Sequence, residues 1–159
     1  MRNSLALGLA VAILKLSYAD VIELDNQDAQ VCKQQLLNTK ADKYGYKFPV
    51  IVDYSPNCGA CTLYLPIVEA ASNSAKYKDR LTFFKIKQWD ASDAVKKDCL
   101  GEGDTWAFPR TSIRVIYTNP SSGENRWYNP REVSSEVSTL EGLEKLLDLG
   151  TYSGGINIQ

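Results

Sequence analysis

Apolar and polar positions along the chain change period several times, and each change marks an element. Val21-Ile22-Glu23-Leu24 reads as a short strand. Residues 28–37 carry Val31, Leu36 and Leu37 at helical spacing, a weak apolar face. Pro49 to Tyr54 is a continuous apolar run through Val50, Ile51 and Val52, the pattern of a central strand covered on both sides. Cys61 to Tyr77 returns to helical period with Leu65, Val68 and Ala71, and Pro66 predicts a kink. Leu81 to Lys87 is a strand rich in β-branched and aromatic residues.

The second half continues the alternation. Asp93 to Leu100 reads as a short helix ending near Gly101. Thr111 to Tyr117 reads as one strand, with Ile113, Val115 and Tyr117 against Ser112, Arg114 and Ile116. Asn119-Pro120-Ser121-Ser122-Gly123 is a turn by composition, and Glu124 to Tyr128 pairs back as a hairpin strand. Ser138 and Glu141 form a capping box, Leu140, Leu143, Leu146 and Leu147 the buried stripe, and Gly150 the end of a last helix. Strands and helices alternating in this way predict an α/β domain.

The chain's start does not fit that domain. Arg2 precedes an apolar run from Leu5 to Leu14, and Ser17-Tyr18-Ala19 places small residues ahead of Asp20. This is the pattern of a cleaved signal peptide over residues 1–19; Lys15 interrupts the run too early for a span of about 20 apolar residues. The expected organisation is a signal peptide at 1–19, one domain at 20–150 and a polar tail at 151–159. Without residues 1–19, 140 residues remain, with 16 basic against 19 acidic side chains and a net charge of −3. Mild acidity without a basic cluster gives no reason to expect nucleic acid as a partner. No membrane span is expected after signal removal.

Four cysteines and no histidine narrow the chemistry. A histidine base and histidine-ligated metal are excluded, and a zinc site would have to use Cys32 and Cys99, neither of them paired in sequence. No metal and no cofactor are expected. Cys58-Gly59-Ala60-Cys61 lies between the apolar strand and the Pro66 helix. Two thiols at this spacing can close a tight disulfide reversibly. At a helix start, the Cys58 thiolate gains from free N–H groups and partial positive charge. Gly59 would let the backbone enter the helix without a side chain over the sulfur. The bland alternative is a static disulfide.

With strand, Cys58-Gly59-Ala60-Cys61, Pro66 and, ahead of a later strand, Phe108-Pro109-Arg110-Thr111, the chain resembles the thioredoxin and protein disulfide isomerase family from about Val21 to Leu149. The resemblance implies a three-layer sandwich, a central mixed β-sheet flanked by helices. It implies Cys58 as nucleophile and Cys61 as the resolving thiol. It also implies a cis-proline at Pro109, with Phe108 and Trp106 as a platform for extended polypeptide; the alternative is an edge-strand proline. The family buries a carboxylate beneath its cysteine pair as proton acceptor. Aligned without a gap that position is Val52, and one deletion in the loop would place Asp53 there instead.

The resemblance puts Cys32 and Cys99 in helices on one face of the sheet, which makes a structural disulfide between them reasonable; the alternative is two buried thiols. Asn57 and Ala60 depart from the family, which carries tryptophan at the first position and proline or histidine at the second. A less oxidising pair than that of a disulfide isomerase is therefore expected. The implied function is a thiol–disulfide oxidoreductase acting on protein thiols and disulfides, recharged by an unidentified redox partner. Its expected location is the secretory pathway: the endoplasmic reticulum lumen or extracellular space, or the periplasm in a bacterium. The alternative is a non-catalytic thioredoxin-like module that holds client polypeptides, through transient mixed disulfides where thiols allow.

Overall fold

A computed structural model describes residues 20–101, 108–128, 131–134 and 139–152. The signal-peptide region, Trp106, Ser138 and residues 153–159 of the expected tail lie outside the described residues. Strand β3 (Pro49–Tyr54) is buried at all six positions, as its unbroken apolar run requires. It is the middle of a five-stranded sheet, with β1 (Ile22–Glu23) and β4 (Thr82–Lys87) on one side and β5 (Arg110–Ile113) and β8 (Arg131–Ser134) on the other. The order is β1-β4-β3-β5-β8, parallel across the first three strands and antiparallel at β5 and β8.

Alternation along β3 divides the core in two. Val50 and Val52 pack with Tyr64 and Val68 of helix α2 (Gly59–Ser72) and Leu143 and Leu147 of helix α3 (Leu140–Tyr152). Ile51 packs on the opposite face with Cys32 and Leu36 of helix α1 (Ala29–Leu37) and with Val95, Cys99 and Leu100 of a π-helical segment (Val95–Leu100). The result is the expected three-layer α/β sandwich. Asp28 caps α1, its carboxylate accepting from the N–H groups of Gln30 and Val31. Tyr46–Lys47 (β2), Ile116–Thr118 (β6) and Asn125–Trp127 (β7) form a second, antiparallel sheet in the order β2-β6-β7.

Three boundary expectations are corrected, and the side chain at the start of α3 is added. The strand expected over Thr111 to Tyr117 is two strands in two sheets, because Arg114 turns inward and is 4% exposed, its backbone N–H donating to the Pro49 carbonyl. Helix α2 stops at Ser72 instead of Tyr77, where the Ser72 hydroxyl and the Asn73 amide both donate to the Glu69 carbonyl and compete with helical continuation. The side chain capping α3 is Thr139, whose Oγ1 accepts from the N–H of Gly142 at 3.1 Å. Helix α3 also runs two residues past Gly150, into the expected tail.

Candidate active site

The ladder of β3 delivers the chain to Cys58, and the antiparallel β5 begins beside it. Cys58 is the N-cap of α2, with extended backbone at φ −99° and ψ 108°. Its sulfur accepts a hydrogen bond from the Cys61 N–H at 3.0 Å. A thiolate at this atom would receive that N–H and the positive end of the helix, the two influences that lower a thiol pKa. Cys58 and Cys61 are joined as a disulfide with their Cα atoms 5.2 Å apart. Their exposures differ in kind: Cys58 is half-buried, whereas Cys61 is 2% exposed. An incoming sulfur can reach only the first of them. A Cβ on Gly59 would meet no atom within 4 Å beyond its chain neighbours, so this glycine leaves open space beside the pair and is not demanded by a tight turn.

Facing the pair is the start of β5. The Phe108–Pro109 peptide bond is cis. The Phe108 carbonyl oxygen lies 3.6 Å from Cys58 Sγ, within reach of an S–H donor when the pair is reduced. Phe108 and Pro109 are both half-buried, leaving their outer surface accessible. Two residues into β5, the Thr111 hydroxyl meets the Tyr64 hydroxyl of α2 at 2.6 Å, a buried bond one turn beyond Cys61.

The sequence left open whether Val52 or Asp53, the candidate proton acceptor, lies on the α2 side of the strand. Val52 packs in the apolar layer beneath α2. Asp53 follows it in an unbroken strand register and projects to the other face. There it is 1% exposed, and its Oδ2 accepts from Nε and Nη2 of Arg110 at 2.9 and 2.7 Å. A carboxylate in an otherwise apolar strand calls for a cation, and the β5 residue directly opposite supplies it. Arg110 is the site residue that sequence reasoning passed over. The signal was present: an aspartate breaking an apolar run and an arginine directly after the expected cis-proline.

Cys32 and Cys99 form a disulfide on the α1 face, both at 0% exposure, with Cα atoms 6.1 Å apart. It joins α1 to the π-helical segment, far in the fold's layering from the α2 face that carries the first pair. Among the described residues no group of three or more acidic, cysteine or histidine side chains could hold a metal ion. Nor is any helix of the described residues long and apolar enough to cross a membrane.

No protein-family model and no curated protein sequence matches the chain. Solved structures do. The Trx4 domain of ERdj5 aligns with a TM-score of 0.51 at 14% identity, over 84% of this chain and 96% of that one. Full-length ERdj5 aligns at 0.50 and 15% identity, over 80% of this chain and 15% of that much longer one. Mitochondrial thioredoxin 3 of Saccharomyces cerevisiae, in its oxidised form, aligns at 0.49 and 17% identity, over 82% of this chain and 97% of that one. With the sheet order, the two helical layers and the helix-capping cysteine, the two ERdj5 alignments establish a thioredoxin-like fold.

Proposed function

We propose that this domain is a thiol–disulfide oxidoreductase acting on protein substrates in the secretory pathway, with Cys58 as the attacking sulfur and Cys61 as the resolving one. The observation that carries the reading is the asymmetry of the pair. Cys58 is accessible at a helix N-terminus beside the Phe108 carbonyl, and Cys61 is buried behind it. In the reductive direction the Cys58 thiolate attacks a substrate disulfide, forming a mixed disulfide and releasing one substrate thiol. Cys61 then attacks the Cys58 sulfur, releasing the second thiol and leaving Cys58–Cys61 oxidised. Phe108 and Pro109 flank the site where an extended substrate strand would lie, and Trp106 belongs to the same loop in sequence. The export reading rests on the signal-like N-terminus and on a second, fully buried disulfide, which an oxidising compartment favours.

One observation favours the alternative of a client-holding module. Cys61 is 2% exposed, and burial of a thiol disfavours thiolate formation and slows resolution. Equilibration in graded glutathione buffers, read by thiol alkylation and mass spectrometry, tests the reading. A midpoint between about −270 and −120 mV supports exchange catalysis, and one below about −300 mV marks a structural disulfide and ends the oxidoreductase reading. Cys61→Ser should trap clients as mixed disulfides under either function. Multiple turnover by the unaltered protein occurs only if it is an enzyme.

A further inference from the structure

The pair Asp53–Arg110 is the last rung of the β3–β5 ladder at the end of the sheet nearest the cysteines. Beyond it the two chains part. One runs through Ser55, Pro56 and Asn57 to Cys58; the other leads back through Pro109 to Phe108. They meet again where Cys58 Sγ faces the Phe108 carbonyl at 3.6 Å. The geometry of that meeting therefore depends on how firmly the last rung is held. Both Arg110 donors converge on one oxygen of a carboxylate that is 1% exposed, while the arginine side chain itself is 16% exposed. A buried ion pair is a weak source of stability, and fixing register is its best-attested use. The adjacent residue of β5 is held from the opposite face by the Tyr64–Thr111 hydroxyl pair.

We propose that Arg110, anchored by Asp53, is a positioning residue for thiol–disulfide exchange at Cys58. It keeps the Phe108–Pro109 backbone in place, so that a disulfide carried on an extended polypeptide is presented to the Cys58 sulfur. The pair touches no reacting atom. It acts through the strand start, and its effect falls on substrates that use the backbone there. A small disulfide that needs only the sulfur gains little from it. This inference rests on the oxidoreductase reading.

The test uses the full chain, reduced beforehand, and follows formation of the Cys58–Cys61 disulfide in a single turnover. One oxidant is an extended peptide carrying one disulfide, the other is hydroxyethyl disulfide. Each oxidant takes up two electrons and two protons as its S–S bond is replaced by the protein's. Asp53→Leu with Arg110→Met substitutes an apolar pair of similar volume, the exchange that buried ion pairs tolerate best. The expected result is a fall of about tenfold in the ratio of peptide rate to small-disulfide rate, the scale of a modest misplacement of reacting groups. Arg110→Lys, which keeps the charge but not the paired donors, should fall between. An unchanged ratio in the apolar double variant, or in Arg110→Lys should the double variant not fold, overturns the proposal. If the unaltered protein is oxidised by neither disulfide, the oxidoreductase reading itself has failed, and the positioning role with it.

Discussion

The hydroxyls of Tyr64 and Thr111 lie 2.6 Å apart in a buried setting, tying the helix that begins at Cys58 to the strand that begins beside Pro109. The bond ties the two halves of the candidate site across α2 and β5. Tyr64→Phe or Thr111→Val alone removes one partner and leaves the other hydroxyl without this bond, at a cost of about 1–3 kcal/mol. The double variant should cost less than the two single losses added together, by at least about 0.5 kcal/mol. Urea unfolding of the four proteins measures this coupling. Strict additivity would show that the two hydroxyls do not act as a pair.

The second disulfide makes a prediction of different kind. Cys32 and Cys99 are 67 residues apart in sequence and wholly buried. Closing a loop of that length is worth about 4 kcal/mol in the chain-entropy model. Cys32→Ala with Cys99→Ala should lower unfolding free energy by roughly that amount, yet leave the domain able to fold under mild conditions. Under graded reductant, alkylation should label Cys58 and Cys61 first, since only Cys58 is open to an attacking thiolate. Simultaneous labelling of all four cysteines would contradict a purely structural role for the buried pair.

Asp148 links α3 to the turn after α2 and should respond to acid. Burial tends to raise its carboxyl pKa, but the Lys76 ammonium and the Tyr77 hydroxyl, both donating to it, outweigh that and hold it below its ordinary 3.8. A depressed carboxyl pKa gives stability that is present above about pH 4 and is lost as pH falls through the folded-state value. The side chain is 45% exposed, so solvent screening keeps the contribution to about 0.5–1 kcal/mol. Asp148→Asn lacks it at every pH. The stability difference between the two proteins should therefore be largest near pH 6 and shrink toward pH 2. A difference that is constant over that range would remove the ionic contribution.

How much of this was legible in the sequence depended on how local the determining interaction is. β3 could be read to the residue because six consecutive positions are buried and the run is bounded by Pro49 and the polar loop after Tyr54. The helix that follows was read by its period from Cys61, two residues inside its start at Gly59. Two strands, Tyr46–Lys47 and Arg131–Ser134, are too short to show a period and exist because a neighbouring strand pairs with them. The face occupied by Asp53 turned on a single residue of register, which local pattern does not settle. Once β3 and β5 are aligned, Arg110 directly opposite decides it. Arg114 misled most, because an arginine between apolar residues reads as the solvent side of an alternating strand. Here it points inward to carbonyl groups more than a dozen residues earlier in the chain.

That inward arginine makes Gly101 the most constrained glycine near the π-helical segment. Arg114 donates from Nη1 to the Cys99 carbonyl at 2.5 Å and from Nη2 to the Leu100 carbonyl, capping the segment that holds one end of the buried disulfide. Its guanidinium lies over the Trp127 ring, 5.7 Å from the centroid, and burial pulls its pKa down to about 10. Gly101 ends the segment in the left-handed region at φ +66°, and a Cβ there would stand 2.5 Å from Arg114 Nη2. Gly101→Ala therefore meets two costs. The left-handed backbone costs about 1 kcal/mol for a residue with a Cβ, and displacing a charged donor from its carbonyls costs about 1.5–3 kcal/mol. Gly101→Asn tolerates the backbone better but still crowds the guanidinium. Chemical denaturation should show both variants destabilised, alanine by about 2–4 kcal/mol and asparagine by somewhat less. If alanine costs under about 0.5 kcal/mol, the guanidinium does not occupy this position. If asparagine restores full stability, the backbone conformation alone is at issue, and Arg114 is free to move aside.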